Sequence, residues 1–128
     1  MKNILCILIF SISIITVGCS TIKKDISNVK ECSSEHSYFV KSRECLKQKI
    51  YTSAIKDNDL KDIIFLYVDT LNQSINSKLL TDETGWGYFN THYELALKSD
   101  SKDEIHSAYV TINNAIDRLK WKKIIFII

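Results

Sequence analysis

No proline occurs in this chain of 128 residues, and glycine occurs only three times, at Gly18, Gly85 and Gly87. Proline and glycine are the strongest interrupters of regular structure, so a chain nearly without them favours long unbroken elements. Apolar residues then recur at spacings of three and four, and no stretch alternates with period two for long enough to argue a sheet. The expected fold class is all-α, a small bundle of about four helices. The length suits one small domain, and 45% hydrophobic residues are enough for one core. A formal net charge of +2 supplies no basic footprint for nucleic acid.

The first helix is predicted from about Ser37 to Lys56, with Phe39, Cys45, Leu46, Ile50, Ala54 and Ile55 as its apolar positions. Asp57-Asn58-Asp59 breaks it and offers capping side chains. The second helix has the cleanest stripe: Leu60, Ile63, Ile64, Tyr67, Val68, Leu71 and Ile75 fall on one face. Phe65 and Leu66 widen that stripe, which predicts a central position. Thr81 is a candidate cap for a third helix running to about Lys98, with Trp86, Phe89, Tyr93, Ala96 and Leu97 turned inward. Ser101-Lys102-Asp103-Glu104 fits a capping box, and Ile105, Ala108, Tyr109, Ile112, Ile116 and Leu119 form the stripe of a fourth helix. The final KWKKIIFII is too short to span a bilayer. It extends the fourth helix into the core, forms a short strand, or lies on a membrane surface through Trp121 and its lysines.

The amino terminus decides the compartment. A single basic residue, Lys2, precedes an uncharged run over residues 4–18. That run falls short of the ~20 apolar residues a spanning helix needs, and it has the layout of a secretory signal. Its end, Thr16-Val17-Gly18-Cys19, resembles the lipobox of bacterial lipoproteins. The resemblance implies cleavage before Cys19, diacylglycerol on its thiol and a fatty acyl chain such as palmitate on its new amine. Residues 1–18 are then the signal peptide, 19–33 the lipidated cysteine and a polar tether, and 34–128 the helical domain. Ser20, where an aspartate marks inner-membrane retention in enterobacterial lipoproteins, implies the outer membrane, facing the periplasm. Membrane lipid is the first expected partner and another envelope protein the second.

Cys32 and Cys45 remain as an even pair in an exported chain, which is the setting for a disulfide. A metal site and a catalytic thiol are the alternatives. No CxxC accompanies the pair, and nothing nearby marks an activated thiol. A continuous helix from 32 to 45 would separate them by ~20 Å, so a bridge requires the chain to turn back near Ser33-Ser34-Glu35-His36-Ser37. No HExxH, GxSxG, Walker or GxGxxG pattern occurs. We therefore expect neither catalysis nor a cofactor nor a bound metal. The aromatic run GWGYFNTHY offers Trp86, Tyr88 and Phe89 as a candidate contact surface, with core packing as the alternative. The functional expectation is a membrane-anchored envelope module that binds or supports another protein. The alternative is an inhibitor or immunity-type protein directed at a cell-wall enzyme or toxin.

Overall fold

A computed structural model describes the backbone of residues 13–35 and 38–127, and the side chains of residues 22–34 and 38–122. Among the described residues there are α-helices and one short 3-10 helix, with no strand. The α-helices are α1 (Ser13–Glu35), α2 (Arg43–Tyr51), α3 (Asn58–Asn76), α4 (Asp82–Leu97) and α5 (Lys102–Ile127); the 3-10 turn Phe39–Ser42 leads into α2. The all-α bundle expected from the pattern is the fold observed.

The helices run alternately up and down. Cys32 on α1 meets Cys45 on α2, and lower down Asp25 meets Ala54, so these two helices are antiparallel. Arg43 reaches Asp69 and Tyr51 reaches Asp62, which sets α3 antiparallel to α2. Gly85 approaches Ile75, and His92 packs on Tyr67 further along, which sets α4 antiparallel to α3. His106 and Tyr109 lie beside Asp59 and Asp62, while Arg118 and Leu119 lie beside Tyr67; α5 therefore runs parallel to α3. Leu60, Ile64, Tyr67, Val68 and Leu71 of α3 are each at most 1% exposed, and this helix forms the centre of the bundle as its stripe predicts.

Local chemistry starts each helix where the sequence places it. The Asp57 carboxylate accepts the Leu60 N–H at 3.0 Å, and the Thr81 hydroxyl accepts the Thr84 N–H at 3.2 Å. The capping box is reciprocal: Ser101 Oγ accepts the Glu104 N–H at 3.1 Å, and Glu104 Oε1 accepts the Ser101 N–H at 3.2 Å. At the end of α3 the Leu79 N–H bonds the Ser74 carbonyl and the Lys78 N–H bonds that of Ile75. This is the Schellman pattern, with Lys78 at φ 63° in the position that glycine usually takes.

Three expectations need correction. Residues 19–33, read as the lipidated cysteine and a polar tether, belong to α1. Val29 and Cys32 are buried, and Ile22 and Ile26 pack on the core. Those four positions are spaced by four, three and three, a helical face sparse enough to be hidden among polar residues. The helix expected over 37–56 is shorter, ending at Tyr51. There the Ser53 hydroxyl donates to the Ile50 carbonyl at 2.7 Å, and the Ala54 N–H donates to Asp25 Oδ2 at 2.8 Å, so the backbone ladder is diverted. The C-terminal KWKKIIFI continues α5 through Ile127, which removes the strand alternative; Trp121 is 64% exposed, and the side chains from residue 123 onward lie outside the described set.

Candidate functional site

The aromatic run near the start of α4 divides according to helical geometry. Phe89 is fully buried, with its ring stacked on Tyr93 at 5.3 Å. Trp86 is half-buried and meets Phe39 edge-on at 4.9 Å. Tyr88 alone of the three candidates stays well exposed, at 39%. Residues three and four apart share a helix face, so 86, 89 and 93 turn to the core while 88 and 92 turn toward α5. Trp86, Tyr88 and Phe89 are therefore not one contact surface.

Tyr88 and His92 instead form one wall of a cleft of about 200 Å³ between α4 and α5. The opposite wall is Arg118 and Lys122, one turn apart on α5, and Tyr67 of α3 contributes the floor. Tyr67 is 1% exposed, and its ring meets the His92 ring edge-on at 4.8 Å. Burial pushes the Tyr67 hydroxyl well above its ordinary value of 10.0; the ionisable groups acting on it are Tyr88, which adds to the shift, and Arg118, which opposes it. Both groups line the cleft, so the hydroxyl end of Tyr67 faces it. The His92 Nδ1 stands 2.8 Å from the Tyr88 carbonyl. A carbonyl only accepts, so Nδ1 carries the proton and Nε2 is left for other partners. Among the described residues neither Arg118 nor Lys122 is engaged by a carboxylate, and the Tyr67 hydroxyl has no hydrogen-bond partner.

A wider, more open cleft of about 410 Å³ lies at the other end of α3, lined by Asp57, Asp59, Asp62, His106 and Tyr109. Two of its three acids already have structural work. Asp57 caps α3, and Asp62 accepts the Tyr51 hydroxyl at 2.7 Å. Among the described residues no three His, Cys, Asp or Glu side chains are placed to hold a metal ion.

Cys32 and Cys45 are joined as a disulfide, with Cα atoms 5.7 Å apart, within the ordinary range for a bridge. The chain turns back after α1 to allow it, as the spacing demanded. Cys19 lies on the backbone of α1, its side chain outside the described set, and residues 1–12 of the expected signal peptide lie outside the described residues. Among the described residues no helix is long and apolar enough to cross a membrane.

The cleft residues escaped sequence reasoning for identifiable reasons. Tyr67 falls on the α3 core stripe, and periodicity does not say which end of a buried tyrosine meets solvent. Arg118 and Lys122 are four apart, the one available signal, but such pairs are common on solvated helix faces. Comparison of the chain with protein-family models, with curated proteins and with solved structures finds no match.

Proposed function

We propose that this protein is a lipid-anchored module of a bacterial cell envelope, held by an acylated Cys19 and acting on another envelope component by binding rather than catalysis. The observation that carries the reading is the sequence Thr16-Val17-Gly18-Cys19 at the end of an uncharged run. The fold adds a geometric consequence. Ile22, three residues after Cys19, already packs against the core. At 1.5 Å per residue the anchor point would stand only ~5 Å along the helix from the folded domain. The bundle would sit directly on the bilayer, with the α2–α3 and α4–α5 connections toward the lipid and the 3-10 turn away from it. Two or three acyl chains, at ~0.8 kcal/mol per buried CH2, make such attachment stable where a single chain would bind only marginally.

The disulfide supports an oxidising compartment, because bridges of this kind persist outside the reducing cytosol. The test is metabolic labelling with an alkyne palmitate analogue, followed by fractionation. The wild-type chain is expected to be labelled and to sediment with membranes, and Cys19→Ala to lose the label and shift to the soluble or unprocessed pool. An unlabelled wild-type chain overturns the reading.

A further inference from the structure

We propose that the cleft between α4 and α5 is a binding site for a small organic anion, an aromatic or apolar body carrying a carboxylate or phosphate. The inference goes beyond the membrane anchor and does not depend on it.

Three independent features converge there. Arg118 and Lys122 present two cations one helical turn apart on the same wall, and no carboxylate among the described residues neutralises either. Guanidinium and ammonium groups left unpaired at the rim of a concave surface attract anions, and the guanidinium fork fits a carboxylate or phosphate with two hydrogen bonds. Second, Tyr67 is 99% covered by protein, and its hydroxyl turns toward this cleft without a partner. That hydroxyl is not one of the fully buried unpaired atoms, which among the described residues are Asn72 Oδ1 and the Tyr93 hydroxyl, so water or a ligand atom in the cleft reaches it and takes its hydrogen bond. The hydroxyl stays protonated at neutral pH, because burial disfavours the phenolate, and it therefore donates. Third, the wall opposite the cations is built from the Tyr88 and His92 rings, with Ala115 and Leu119 adding apolar surface between. The charged end of a ligand then meets Arg118 and Lys122, while its body lies against the rings.

The size of the cleft sets the ligand class. About 200 Å³ holds a body the size of a benzene ring with one anionic group, and falls short of the volume of ordinary drug-sized sites. The whole chain carries only +2, so general attraction to polyanions is weak and local placement must supply selectivity.

The experiment uses the full chain in a non-ionic maltoside detergent, labelled with 15N, and follows backbone shifts on adding phenyl phosphate, benzoate or phenol. Saturable shifts centred on Tyr88, His92 and Arg118 with phenyl phosphate or benzoate, absent with phenol, support the site; the tighter of the two probes identifies the preferred anionic group. Arg118→Gln and Lys122→Gln are each expected to weaken binding about tenfold, as the loss of one charge-assisted hydrogen bond does. Both side chains are exposed, so thermal melts of the variants should match wild type. Lys120→Gln, which removes an exposed cation outside the cleft, should bind as wild type does. Shifts that fail to saturate, that persist in both cleft variants, or that weaken equally in Lys120→Gln overturn the proposal.

Discussion

Reduction of the Cys32–Cys45 bridge is the perturbation whose size follows most directly from the topology. The two cysteines are 13 residues apart, and the bond closes a short loop that the unfolded chain would otherwise leave open. The chain-entropy relation gives about 3 kcal/mol at 25 °C for a loop of this length. α1 has other holds on the bundle: Val29 is 2% exposed, and Asp25 accepts the Ala54 N–H. Those holds keep the reduced protein folded at low temperature, so the effect appears as a lower melting point. At roughly 4–8 °C per kcal/mol for a domain of this size, the midpoint should fall by about 12–24 °C. Far-UV circular dichroism melts of the full chain, with and without a phosphine reductant at one pH, provide the measurement. Reduction by itself keeps both sulfur atoms in place, whereas Cys32→Ala would add a packing defect at a fully buried position. A midpoint unchanged within about 2 °C would refute the reasoning, because α1 would then be docked without help from the bridge.

Three further outcomes follow from particular residues. Lys78→Gly should stabilise the protein by about 1 kcal/mol in urea denaturation, since a lysine at φ 63° carries a left-handed penalty that glycine lacks. Gly87→Ala should stabilise by about 0.5–1 kcal/mol, because nothing lies within 4 Å of the added methyl; Gly85→Ala should gain less, because its Cβ would stand 2.7 Å from Ile75 Cδ1 and that side chain must move. Burial holds Tyr67 and Tyr93 above the ordinary 10.0 in the folded state. A raised folded value means that the stability is fully present below pH 10 and falls above it, by up to about 1.4 kcal/mol per pH unit for each group. Tyrosinate absorbance near 295 nm should show these two rings ionising together with loss of helical signal, after the exposed tyrosines have titrated.

Most of the helical plan was legible because it rests on local rules. The caps at Asp57, Thr81 and Ser101 act within three residues, and the stripe from Leu60 to Leu71 is dense enough to declare its face. The packed part of α1 was not legible, because Ile22, Ile26 and Val29 are too few to stand out until a partner covers them. The end of α2 was not legible either, since the Ala54 N–H is taken by Asp25, 29 residues earlier in the chain. The candidate cleft lay deepest out of sight. Its residues come from three helices, each of which follows an ordinary amphipathic pattern, and their meeting depends on how α3, α4 and α5 are set against one another.

By itself the sequence determined the helical class, the sites where most helices begin, the even cysteine pair and the resemblance to a lipobox. These follow from side-chain chemistry acting over a few residues, or from composition that rules out alternatives. Only the tertiary structure decided that α1 is part of the domain, that Phe89 belongs to the core while Tyr88 does not, and that a core tyrosine lines the same cleft as two unpaired cations. Each of those depends on contacts between residues distant in the chain. Periodicity identifies the face a helix will bury, but the partner that buries it is set only when all the stripes are covered together.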